Sequence, residues 1–194
     1  MNRMVPALLT SGLVLALAGC GGPASTSTVT VTRTATRTVT ATPSASPSAS
    51  GSAVPSDCVI NMTNRRVVYD VRVPQGKTCV IRQVRIAGNV LVAEGATLSM
   101  TNVRVDGNVL ANGHKSVSIT GGRVDGNLEL QDGAAVAIQR AMIDGNIRLM
   151  GNNGGTKIIA NVVVGRIYCT RNDPAPTGSG NKATRGLTGQ CEQL

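Results

Sequence analysis

Three aspartates, Asp106, Asp125 and Asp144, stand nineteen residues apart, and each is followed by Gly and Asn. Two of them lie in the string RVDGN, where Arg104 and Arg123 precede the aspartate by two residues. Carboxylates at a regular interval could serve two kinds of chemistry. Held about 5 Å apart, a pair suits the nucleophile and acid of a retaining glycosidase. Gathered with other oxygens, they suit calcium, which takes about six to eight such ligands.

The remaining composition speaks against both. The 194 residues contain no Phe or Trp and only two tyrosines, Tyr69 and Tyr168, so no platform for a sugar ring is evident. Three aspartates interleaved with Arg85, Arg104 and Arg123 make a poor nest for a divalent cation, and neither a metal nor another cofactor is expected. The one histidine, His114, stands beside Lys115 at a loop tip and reads as solvated surface. GNNGGTK (151–157) has the glycines of a phosphate loop, but the spacing fails and no helix follows. No Ser, His and Asp set has positional support.

What must position these side chains is a repeat. Gly-Asn pairs fall at Gly88-Asn89, Gly107-Asn108, Gly126-Asn127 and Gly145-Asn146, and Gly165 follows Gly145 by twenty. A second glycine series, Gly76, Gly95 and Gly133, keeps the same phase, with Gly113 one place early. Counting the less regular RRVVYDVRVPQG, about five copies are expected. Within a copy apolar residues alternate: Val105, Val109, Ala111, Val117 and Ile119 in one, Val124, Leu128, Leu130, Val136 and Ile138 in the next. Period-two runs of β-branched residues broken by Gly and Asn are strands and turns. A unit this short cannot bury its own face, but stacked units can. The expectation is all-β: a single parallel β-solenoid of five rungs, roughly 25 Å long. The absence of a hexapeptide apolar period favours right-handed winding.

On such a stack the motif becomes a corner. Val105 faces the core, so Arg104 and Asp106 share the outer face. Arg85, Arg104 and Arg123 form one column and Asp106, Asp125 and Asp144 another, a salt-bridge ladder. Asn89, Asn108, Asn127 and Asn146 form a third, able to bond side chain to side chain.

The ends carry different signals. VPALLTSGLVLALAG after MNRM has the length and position of a secretory signal rather than a span. Its close, Leu17, Ala18, Gly19 and Cys20, resembles the lipobox of bacterial lipoproteins. That resemblance implies cleavage after residue 19, acylation of Cys20 and a lipid anchor on the outer face of the cell membrane. Residues 20–57, rich in Ser, Thr, Ala and Pro, cannot offset their ordering entropy and read as a disordered tether. Such a tether averages about 35 Å end to end and reaches roughly 110–120 Å. Residues 58–194 form the domain. Setting Cys20 aside leaves Cys58, Cys79, Cys169 and Cys191, an even number suited to two disulfides in an exported chain. Of three connectivities, the repeat favours Cys58–Cys79 and Cys169–Cys191: Cys79 and Cys169 fall in inward phase, and each partner can fold back on one end. RNDPAPTGSGNKATRGLTGQ then reads as a loop over the C-terminal end.

The rungs and GN turns of residues 66–168 resemble the short-rung β-helices of the bactofilin type and β-solenoid lipoproteins of high-GC Gram-positive bacteria. That resemblance implies the fold and says little about activity. The lipobox, tether and terminal cysteines depart from the cytoplasmic bactofilin pattern and so from filament formation. Residues 58–194 carry sixteen Lys and Arg against nine Asp and Glu, a net +7. Outside a membrane the anions such a domain meets are lipid headgroups and wall polymers rather than nucleic acid. The expected function is a non-enzymatic, monomeric surface lipoprotein with a structural, adhesive or binding role, meeting anionic wall polymer or an envelope protein. A small carbohydrate-active enzyme using the Asp column and a self-assembling envelope scaffold are the alternatives.

Overall fold

Residues two apart on a strand share a face, so alternating Val, Ile and Leu leave each copy with an apolar side that only a neighbouring copy can cover. The computed structural model, which describes residues 56–58 and 61–194, covers it by stacking. The expected signal sequence, Cys20 and the expected tether up to Pro55 lie outside the described residues. The chain winds into a parallel β-solenoid with three sheets and, among the described residues, no helix. Sheet I has eight strands, from Ser56–Asp57 to Leu187–Gly189. Sheet II has seven, from Met62–Thr63 to Thr177–Ser179, and sheet III seven, from Arg66–Val67 to Lys182–Ala183. A central turn places Arg104–Val105 in sheet III, Val109–Asn112 in sheet I and Ser116–Thr120 in sheet II.

Register follows the repeat. Val109 pairs with Leu128 and Val117 with Val136, nineteen residues on; beyond GNNGGTK, Val136 pairs with Thr156, twenty on. Like residues therefore stack on like. Ile86, Val105, Val124, Ile143 and Val163 form one buried column, and Val90, Val109, Leu128, Ile147 and Ile167 another. The strand pairings and both disulfides join residues within 56–194, so this part closes its own core and folds as a unit.

The stack has about seven turns rather than five, roughly 34 Å at strand spacing. The residues read as a C-terminal loop supply most of the difference. Thr177–Ser179, Lys182–Ala183 and Leu187–Gly189 continue all three sheets. Gly178, Ala183 and Gly189 stack on the inward Ile158, Val163 and Cys169, so the apolar period fades while the backbone ladder continues. Ser56–Asp57 and Met62–Thr63 likewise extend the N-terminal end.

Both disulfides form as the phase of the repeat suggests. Cys58 is bonded to Cys79 and Cys169 to Cys191, all four buried. Cys79 stacks on Leu98 and Cys169 on Leu149.

The corners obey a rule that alternation does not reveal. Between sheets II and III a residue with positive φ recurs: Asn64, Gln83, Asn102, Gly121, Arg140, Ala160 and Gly180. In the central turns this left-handed residue is followed by an inward side chain, whereas Arg65 after Asn64 and Lys77 after Gly76, nearer the N-terminal end, are exposed. Val84, Val103, Ala141 and Asn161 follow such residues and are buried. Between sheets I and II, Gly95 plays this part for Ala96, and Gly113, one place earlier in its copy, plays it for His114. His114 is consequently 1% exposed, not solvated surface, and neither ring nitrogen has a hydrogen-bond partner among the described residues. Its ring fills the place where a Cβ on Gly133 would stand, 2.2 Å from Nδ1.

Candidate functional site

The outer face of sheet III and the adjoining corner carry the charged motif. Because Val105 and Val124 point inward, Arg104, Asp106, Arg123 and Asp125 emerge side by side and repeat at strand spacing. Each arginine bridges two aspartates where two are in reach. Arg104 Nε donates to Asp106 Oδ1 at 3.1 Å, and its Nη2 to Asp125 Oδ2 of the next turn at 2.8 Å. Arg123 donates to Asp125 Oδ1 at 2.7 Å and also to Asp144. Arg85, whose own turn has Ala87 in place of an aspartate, reaches only Asp106, with Nη2–Oδ2 at 3.0 Å. Stacked like charges repel at this spacing, and the diagonal pairing offsets that.

This arrangement fixes protonation. The hydrogen bond from Arg85, ahead of that from Arg104, holds Asp106 below the usual carboxylate range against partial desolvation. The Arg104 and Arg123 guanidiniums are raised, mainly by their bonds to Asp106 and Asp125 respectively. Asp106 therefore stays ionised at neutral pH and has no proton to donate to a leaving group. Among the described residues, no three His, Cys, Asp or Glu side chains are grouped to hold a metal ion.

Beside the charged columns runs the asparagine ladder. The backbone N–H of Asn108 donates to Asn89 Oδ1 at 2.9 Å, Asn127 to Asn108 at 2.8 Å and Asn146 to Asn127 at 2.9 Å. Asp70 starts the ladder by accepting from Asn89, and Asn146 ends it by accepting from the Arg166 N–H. The glycine before each asparagine is there for space: a Cβ on Gly107 would stand 2.6 Å from Asn89 Oδ1.

Two further polar ladders lie inside the stack. Asn152 Nδ2 donates to Leu130 O and to Asn172 Oδ1, and Asn172 Nδ2 to Leu149 O and Gln190 Oε1. At the opposite corner, Asn161 Nδ2 donates to Ile138 O and Asn181 Oδ1. Each of Asn152, Asn161, Asn172 and Asn181 follows a residue with positive φ, a backbone feature that the residue types, Ala160 and Arg171 among them, do not announce.

No protein-family model, curated protein or solved structure matches the chain. Arg85, Arg104 and Arg123 are engaged by aspartates along their length, and the three Asp carboxylates are engaged in return. As a unit the corner is a brace. Cations without an acidic partner among the described residues, such as Arg148 and Arg166, lie elsewhere.

Proposed function

We propose that the chain is a non-enzymatic lipoprotein that displays a rigid, disulfide-closed solenoid at the cell envelope, where exposed cations engage anionic polymer. The lipobox-like Leu17-Ala18-Gly19-Cys20 is the observation that carries this reading. Two buried disulfides downstream support it, because such bonds persist in oxidising, extracytoplasmic compartments. A tether averaging about 35 Å would hold the solenoid off the membrane by roughly its own length. The ionised, arginine-bound state of Asp106 supports a structural rather than a catalytic use of the aspartate column. Metabolic labelling with a fatty-acid analogue should tag the chain and place it in the membrane fraction, and Cys20→Ser should abolish both. An unlabelled, freely soluble product would refute the anchored reading.

A further inference from the structure

Anion binding by this domain needs cations that the ladder does not hold, arranged around a concave surface. One concavity among the described residues brings two of them together. Where the asparagine ladder ends, Glu129, Asn146, Ile147, Arg148, Arg166 and Tyr168 line an open notch of about 340 Å³. Glu129, Arg148 and Tyr168 occupy the same outward position on three successive strands of sheet I. Neighbouring members therefore stand about 4.8 Å apart. Arg166 lies two residues before Tyr168, and its N–H is bonded to Asn146 Oδ1 at 2.9 Å. Neither arginine has an ion pair among the described residues, and Glu129 forms none with Arg148.

We propose that this notch is a binding site for an acidic saccharide, a sugar chain bearing carboxylate or phosphate groups. The proposal rests on the envelope reading only for where the ligand would come from. Each side chain has a matching task. Tyr168, 36% exposed, offers the aromatic face on which a sugar ring can lie. Arg148 and Arg166 flank it with planar forks of donors suited to carboxylate or phosphate oxygens. Glu129 accepts from hydroxyls. Asn146 gives one amide hydrogen to Asn127 and keeps the second for a ligand. The notch is open, so it takes a segment of a chain rather than enclosing a small molecule. It also changes what two tyrosines in 194 residues mean, since one of them stands between two unpaired arginines.

Residues 21–194 with disulfides formed can be titrated calorimetrically with an oligouronate, a phosphate-linked oligosaccharide, a neutral oligosaccharide and poly(glycerol phosphate), which has no sugar ring. At least one acidic saccharide should bind, at least about tenfold more tightly than the neutral one. A preference for the oligouronate identifies a carboxylated glycan, and a preference for the phosphate-linked one a wall-type glycan. Arg148→Gln and Arg166→Gln should each weaken binding about tenfold. Tyr168→Ala should weaken it about fivefold, while Tyr168→Phe retains it. Arg72→Gln, an equal charge loss on the same sheet near its other end, should have no effect. Equal losses from Arg72→Gln and Arg166→Gln would reduce the effect to diffuse charge and overturn the site. So would undiminished binding by Tyr168→Ala, or poly(glycerol phosphate) binding as tightly as the saccharides. Any of these with Cys20 labelling intact would remove the site and leave the display reading standing.

Discussion

His114 gives the sharpest test of how the corners work. Its imidazole is 1% exposed, lacks hydrogen-bond partners among the described residues and occupies the space left by the missing Gly133 side chain. Burial lowers its pKa from 6.5 to about 4. The unfolded chain takes up a proton near pH 6.5, whereas the folded chain resists until about pH 4, so between these values the unfolded state binds more protons. Stability should therefore fall as pH drops through this window. At 1.36 kcal/mol per pKa unit the loss amounts to about 3 kcal/mol by pH 4. The assay is urea unfolding of residues 21–194, disulfides intact, at several pH values between 7 and 4. His114→Leu should be at least as stable at pH 7, since it leaves no buried nitrogen unbonded, and should lose the slope. Gly133→Ala should destabilise the parent by roughly 1–3 kcal/mol through overpacking, with much less effect in a His114→Ala background. Asp106, whose pKa is lowered from 3.8, acts at lower pH: its contribution is present above that value and is lost as pH falls through its folded pKa. The two windows are separate. An NMR titration placing the His114 ring near pH 6.5, or an unchanged slope in His114→Leu, would refute the buried-ring account.

Three further outcomes test the ladders and the C-terminal disulfide. Asn161→Ala leaves the Ala141 N–H and the Ile138 carbonyl without their side-chain partner and should cost about 2–4 kcal/mol by denaturant midpoint. Asn108→Ala removes the side chain that donates to Asn89 and accepts from the Asn127 N–H on the outer ladder, which water can reach, and should cost at most about 1 kcal/mol. Replacing Cys169 and Cys191 by Ala opens a crosslink spanning 22 residues and should cost about 3 kcal/mol in the same assay; an unchanged midpoint would mean that the bond does not restrain the C-terminal end.

What was legible in the sequence depended on whether one residue's direction could be deduced from its neighbours. Along strands it could. Val105, Val109, Val117 and Val124 each sit two places from another inward residue or in phase with the preceding copy, and all are buried. The Arg and Asp columns were legible for the same reason, since Arg104 and Asp106 flank an inward Val. At corners the two-residue rule stops, and direction passes to the backbone. Gly113 standing one place early was visible, but its consequence is geometric: moving the left-handed residue back by one turns His114 from the surface into the core. Asn152 and Asn161 were opaque in the same way. Nothing in their type separates them from Asn89 or Asn108, and only the preceding Gly151 and Ala160, both at positive φ, send them inward. The seventh turn was hidden because Gly178 and Ala183 occupy its inward positions, and backbone pairing needs no apolar period.

The same ladders bear on whether such a stack grows. An asparagine ladder can pass from one copy of a protein to the next, because each rung both donates and accepts. Here the outer ladder begins on Asp70 and the inner ladder ends on Gln190. At the N-terminal end the outer ladder's first rung is Asp70, whose carboxylate accepts from Asn89 and lacks the amide hydrogens of an asparagine, leaving only its backbone N–H to meet a rung beneath. At the C-terminal end the inner ladder closes on Gln190, which accepts from Asn172 through Oε1 and returns its amide to the Asn172 carbonyl. Pro174 and Pro176 precede the last strand of sheet II, and proline withholds the N–H that an added strand would use. Cys191 then ties this end to Cys169. A scaffold built to polymerise would keep its ladders open at both ends. At the C-terminal end the turned-back Gln190, the two prolines and the Cys169–Cys191 bond favour a stack that closes there over one that adds copies.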